Sequence, residues 1–211
     1  MTVKAPEETR ARILQAAFEE IHRNGFQGAS INAIVSSAGI TKGALFHHFS
    51  GKNALGYAVV DEIIRPQVRE VWIDPLRNRE NPIQAFKEIF KDCREDMEKN
   101  PEQVLNGCPV NNLAQEMSPL DEGFRLRIES IFEEWRRVIA EAFARGMENG
   151  TVRQDLSPAA TAVFLVSAFE GIVGAIKSSR SIPLAQHALT GLFDYLDGLA
   201  SKSKNPGGFS A

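Results

Sequence analysis

Thr41, Lys42, Gly43, Ala44, His47, His48 and Lys52 fall in one short stretch of this 211-residue chain. Their types suit recognition better than catalysis. Thr41, Lys42 and His47 offer donors to phosphates or base edges. Gly43 and Ala44 are small enough to let backbone approach a surface closely. Lys52, at the start of a further helix, would hold a phosphate together with that helix's N-terminus. The histidines have no nucleophile beside them, and the chain has no GxSxG, HExxH, Walker or dinucleotide fingerprint. An enzyme is therefore not expected, and no cofactor is implied.

Three short helices must position these groups. Thr9 to Asn24 carries Ile13, Leu14, Ala17, Phe18 and Ile21 on one face, and Gly25 supplies its stop. Ser30 is the expected N-cap of a second helix, which Gly39 ends by taking positive φ. Thr41 caps a third, Lys42 to Phe49, broken by Ser50-Gly51. Ile34, Val35, Ala38, Ile40, Leu45 and Phe49 are expected to face inward, and Phe46 is assigned to the core with Phe49. A helix, a glycine turn and a second helix make a helix-turn-helix, whose second helix enters the DNA major groove.

Strand periodicity is nearly absent from the remainder, so the fold is expected to be all-α, with about nine helices. Lys52 opens a long helix to about Arg65, extended to about Trp72 across a possible kink at Pro66. Later helices are expected at Pro82–Asn100, Glu102–Met117, Pro119–Asn149, Ser157–Ser179 and Pro183–Ala200. Met1 to about Glu7 and Ser201 to Ala211 read as loose ends. Residues 1–55 form the expected DNA-binding domain, 56–200 a helical ligand-binding and dimerisation domain, and 201–211 a flexible tail.

The net charge of −3 does not advertise nucleic-acid binding, but it is unevenly placed. Residues 1–55 set Lys4, Arg10, Arg12, Arg23, Lys42 and Lys52 against Glu7, Glu8, Glu19 and Glu20, leaving the deficit on the acidic remainder. Lys4, Arg10 and Arg12 are candidates for additional phosphate contacts. Cys93 and Cys108 form no disulfide framework or zinc pattern, and the polar N-terminus lacks a secretory signal. A cytoplasmic location is the default expectation. Ala159 to Ile176 is apolar but interrupted by Glu170 and small polar residues, so a buried or interface helix is expected in preference to a membrane span.

The segment SINAIVSSAGITKGALFHHFSGKNAL, Ser30 to Leu55, resembles the N-terminal signature of TetR-family regulators. It has the turn glycine, the Thr/Ser-Lys-Gly opening of the recognition helix, the aromatic/histidine run and the lysine after a short break. Phe46-His47 replaces the common Tyr-Tyr pair, which would pass a phosphate contact to His47. Val35 stands where many helix-turn-helices carry alanine. The resemblance implies a homodimeric repressor that grips double-stranded operator DNA and is released by a small-molecule effector. Its DNA-contacting residues would be Ser30, Thr41, Lys42, Gly43, Ala44, His47, His48 and Lys52. A helical interaction module without DNA binding is the alternative of another class.

The same resemblance assigns dimerisation to the last two helices. Ala168, Gly171, Gly174 and Ala175 would permit close approach there, while Phe164, Phe169, Leu192, Phe193 and Leu196 supply apolar area. Gly107-Cys108-Pro109-Val110-Asn111-Asn112-Leu113-Ala114 is similar to the GC-x-x-x-x-LA motif of a subfamily of multidrug-, flavonoid- and electrophile-responsive repressors. That likeness implies two sensing alternatives. One is a reactive thiol at Cys108, lowered in pKa by a helix N-terminus and by Lys177. The other is reversible binding of an apolar or aromatic compound. Its wall would come from Trp72, Phe86, Phe90, Leu113, Met117, Phe132, Trp135, Phe169 and Ile176, with Asn112, Gln115 and Arg136 fixing polar groups. Pro66 and Gly56 would make the ends of the fourth helix adaptable.

Overall fold

The computed structural model describes residues 6–99 and 105–201. Lys4, most of the expected C-terminal tail and the start of the expected Glu102–Met117 helix lie outside the described residues. Nine helical segments are described: α1 Pro6–Gly28, α2 Ile31–Ala38, α3 Lys42–His48, α4 over 52–77, α5 Pro82–Lys99, α6 Pro109–Met117, α7 Glu122–Glu148, α8 Pro158–Ser179 and α9 Ile182–Gly198. An isolated bridge between Val152 and Ala200 is the one β-type pairing among the described residues. The fold is all-α.

The chain forms two compact units. One comprises Met1–Val71 with Asn100–Glu134, the other Trp72–Lys99 with Trp135–Ala211. In the first, α1 packs its buried Ile13, Leu14, Ala17 and Ile21 inward. Gly25, at φ 76°, breaks the helix where a stop is expected, and one further turn follows. Pro6 and Glu7, expected in a loose end, already belong to α1. Ser30 caps α2 by accepting from Ala33 N–H at 3.4 Å, and Thr41 caps α3 by accepting from Ala44 N–H at 3.2 Å. Gly39 closes α2 in the left-handed region at φ 61°.

α4 is longer than the sequence suggests. It runs through Pro66 to Arg77 by inserting wide π-turns at Val60–Ile64 and Arg69–Ile73. Proline has no N–H to give the preceding turn, and a π-turn absorbs that loss without ending the helix. Gly56 is not the adaptable point expected of it. It is buried, and an added Cβ would lie 2.5 Å from the Phe26 ring and 2.7 Å from that of Phe124. It is glycine because two aromatic rings need its space.

The expected helix Glu102–Met117 is interrupted at Gly107, which takes φ 84° before Cys108 begins α6. α7 starts later than expected, at Glu122, because the Asp121 side chain accepts from Phe124 N–H at 2.9 Å and acts as its cap. In the second unit, Ser157 caps α8 and Ser181 caps α9.

A candidate DNA-reading face and an aromatic cluster

α3 has only seven residues, and their burial splits by side. Leu45 is fully buried and Phe49 is 5% exposed, one turn apart on the inward face. Ala44 and His48 are half-buried. Thr41, Lys42, Gly43 and His47 are exposed. Phe46 joins them: it is 50% exposed and not part of the core to which its type assigned it. The reason is angular. Leu45 and Phe49 already fill the inward positions, and Phe46 sits about 100° around the helix from Leu45.

The turn that presents α3 is fixed from α1. The Arg12 guanidinium donates to the carbonyls of Ala38 and Gly39, completing the C-terminal end of α2. Arg10 makes a two-bond ion pair with Glu62 of α4 and lies 5.1 Å over the Phe49 ring. Arg10 holds the Glu62 carboxyl below its ordinary value, and Glu62 raises Arg10. Both arginines, candidates for phosphate contacts by type, are thus engaged in holding the helix-turn-helix to its neighbours. Ser30 and Thr41 use their oxygens as caps and stay exposed. Lys52 is half-buried. Its ammonium donates to the Gln27 carbonyl at 3.0 Å and lies 5.1 Å from the Phe26 ring centre.

Two carboxylates that the sequence does not flag tie this head to α6 and α7. Glu116 accepts from the backbone of Phe26 and Gln27. Asp121 accepts from Tyr57 Oη at 2.8 Å and from Asn53 at 3.1 Å. At the start of α6, His22 Nε2 meets the Gly107 carbonyl at 2.7 Å, so that nitrogen carries the proton. No local motif announces such contacts, because the partners lie from 64 to 90 positions apart.

The sensing candidates divide between the two units. In the second, Trp72, Phe90, Trp135 and Phe169 form one aromatic cluster. Trp72 stands 4.2 Å from Phe169, 5.3 Å from Trp135 and 5.5 Å from Phe90, centre to centre. Phe86 continues it against Phe90 at 6.1 Å. Trp72, Phe90 and Trp135 are buried and Phe169 is half-buried. Lys177 belongs to the same unit and is exposed in the last turn of α8. Cys108 and Asn112 belong to the first unit. Cys108 is a half-buried N-cap of α6, and Asn112 donates to the Asn106 carbonyl at 2.8 Å, closing the turn before that helix.

α8 is long and apolar enough to cross a membrane by length and composition, and only a third of its apolar window is buried. It packs along α9, where Leu192 and Leu196 belong to the core of the unit. Val163, Phe164 and Leu184 stay exposed, and Gly171 and Gly174 have open space where a Cβ would stand.

A capped α2, a positive-φ glycine and a short α3 whose outer face carries Thr41, Lys42, Gly43, Phe46 and His47 define a helix-turn-helix DNA-binding regulator. Residues 13–59 match the family of bacterial regulatory proteins of the tetR type, and residues 82–192 match the tetracyclin repressor-like C-terminal domain. The chain belongs to the TetR family. It is 25% identical over 194 residues to the HTH-type transcriptional repressor DhaR of Mycobacterium sp. (strain GP1), covering 89% of this chain and 91% of that protein. It is 32% identical over 155 residues to an HTH-type transcriptional regulator in the lacX 3' region of Lactococcus lactis, covering 74% and 77% respectively. A TetR transcriptional regulator from Chloroflexus aurantiacus superposes with a TM-score of 0.80 at 25% identity, covering 92% of this chain and 97% of that one. Regulators of this family bind operator DNA and ligands, form dimers and are not enzymes.

Proposed function

We propose that this regulator is a repressor that binds a palindromic operator as a homodimer and is released by a small apolar or aromatic effector. The observation that carries the reading is the exposed face of α3, with Thr41, Lys42, Gly43 and His47 outward and Leu45 and Phe49 inward. Ser30, Ala44, His48 and Lys52 complete the proposed DNA surface within residues 1–55, and 56–200 carry effector binding and dimerisation. The repressor direction draws on the relative named as a repressor. Dimerisation through α8 and α9 would cover Val163, Phe164 and Leu184, and the open glycines would let the partner helix approach closely. Two α3 helices would then stand about 34–36 Å apart, one turn of DNA.

The aromatic cluster of Trp72, Phe90, Trp135 and Phe169 supports an apolar or aromatic effector. Its binding would favour a conformer with the wrong half-site spacing, weakening DNA binding by its differential affinity for the two states. Gly107 to Ala114 supports membership of the GC-x-x-x-x-LA subfamily. A second reading, alkylation of the Cys108 thiol by a quinone, draws on the half-buried place of Cys108 at the start of α6.

Selection of random duplexes by the full-length protein, followed by footprinting, tests the DNA-binding reading. A two-fold symmetric site is expected, and the absence of any enriched duplex overturns it. For the thiol reading, the protein–DNA complex is treated with N-ethylmaleimide or a quinone. Release of wild type but not of Cys108→Ser supports covalent sensing, and equal behaviour of the two removes it.

A further inference from the structure

We infer that Phe46 is a specificity-determining residue whose ring reads the 5-methyl group of one thymine in each half-site. The inference rests on the DNA-binding reading above and deepens it. Phe46 is 50% exposed on a helix whose neighbouring apolar residues, Leu45 and Phe49, are buried. It therefore contributes little to the core, and its ring is available to a surface that docks on α3. Lys42 lies four residues before it and Gly43 three, so all three share one face of α3. Around Gly43 the nearest atom to an added Cβ would be Thr41 Oγ1 at 3.8 Å, so the helix surface beside the ring is low and open. Lys42 supplies the attraction to phosphate, and Gly43 lets the helix backbone come close to the groove floor.

The chemistry of the ring then limits what it can recognise. A phenyl group has no donor or acceptor to match the amino, carbonyl or ring-nitrogen positions of base edges. The apolar feature presented in the major groove is the thymine 5-methyl, and phenylalanine is one of the side chains suited to it. A tyrosine at this position would bring a hydroxyl able to bond a phosphate. The phenylalanine of this chain lacks that option, which leaves apolar contact as its contribution.

The test uses the duplex selected by the full-length wild-type protein. Each thymine is replaced singly by deoxyuridine, which removes only the methyl, and affinity is read by fluorescence anisotropy. One thymine per half-site is expected to show about four-fold weaker binding on this change, the worth of one buried methyl. Phe46→Ala is expected to bind the parent duplex more weakly and to show no further loss at that thymine. Phe46→Leu, apolar but smaller, should retain part of the sensitivity, and unchanged thermal melting of both variants reports an intact fold. If Phe46→Ala loses affinity but keeps the wild-type deoxyuridine penalty at every thymine, the inference is overturned. It is equally overturned if no thymine is sensitive in wild type. Failure to select any duplex would instead remove the DNA-binding reading, and this inference with it.

Discussion

The Glu116 carboxylate accepts hydrogen bonds from the backbone N–H groups of both Phe26 and Gln27, each at 2.8 Å. Those donors are orphans because Gly25 breaks α1 and a new turn begins. Lys52 holds the same corner from the other side through the Gln27 carbonyl. The corner leads directly to Ser30 and α2, so α6 and α4 jointly fix where the helix-turn-helix begins. Glu116→Ala should destabilise by about 1–2 kcal/mol, less than two fully buried charged hydrogen bonds because Gln27 is exposed. The melting temperature should fall by roughly 2–8 °C. Glu116→Gln, which keeps an acceptor oxygen, should fall in between. A melting curve of Glu116→Ala superimposable on wild type would show that water replaces the carboxylate at no cost.

Gly56 separates two explanations of a helix glycine. Were it an adaptable point, Gly56→Ala would stabilise the chain by about 1 kcal/mol through helix propensity. Its close approach to the Phe26 and Phe124 rings, which meet edge to face at 4.6 Å, predicts the opposite sign. The methyl must displace one ring in a packed core, at a cost of about 1–3 kcal/mol. Urea unfolding of Gly56→Ala should show a lower midpoint with an unchanged slope, and a raised midpoint would refute the packing account.

The parts of this protein that depend on neighbours in sequence were legible there, and those that depend on distant partners were not. Ser30, Thr41 and Gly39 announce themselves because caps and left-handed stops are local chemistry. The aromatic cluster was legible as a set of residue types, but its assembly from Trp72, Phe90, Trp135 and Phe169 is a tertiary outcome. Phe46 was assigned to the core because aromatic residues usually belong there. A seven-residue helix has few inward positions, and Leu45 and Phe49 take them. The phosphate roles considered for Arg10 and Arg12 could not be weighed without their partners, Glu62 and the end of α2. The break at Gly107 was legible in part: one helix was expected over Glu102–Met117, while Cys108 after that glycine was also read as a helix start, and the positive φ of Gly107 agrees with the second reading.

Asp121 predicts how stability changes with acid. Its carboxyl lies below the ordinary value, chiefly because it accepts from Phe124 N–H and next because Tyr57 donates to it. A carboxylate lowered in the folded state contributes stability that is present above its unfolded value, about pH 4, and lost as pH falls through the folded value. The same bond raises the Tyr57 hydroxyl, so that contribution is present below about pH 10 and fades as pH rises through the raised folded value. Asp121→Asn should therefore melt below wild type at neutral pH, with the gap narrowing as the pH drops below 4. A gap that stays constant from pH 7 to pH 3 would assign the difference to cap geometry and not to charge.

Lys42 and Lys52 predict different signatures on DNA despite their common charge. Lys42 is exposed at the start of α3, whereas the Lys52 ammonium already donates to the Gln27 carbonyl beside the Phe26 ring. If Lys42 meets a phosphate, Lys42→Ala should leave melting unchanged and reduce the slope of log K against log salt by about one per protomer. The loss should be nearly uniform across operator variants, because a phosphate contact carries no base information. Lys52→Ala should instead lower both the salt slope and the melting temperature, since it also releases the α1–α2 corner. Titrations between roughly 50 and 200 mM salt make the comparison. An unchanged slope for Lys42→Ala would mean that its ammonium stays hydrated when α3 docks. The electrostatic hold of this head would then fall to Lys52 and the helix N-terminus behind it.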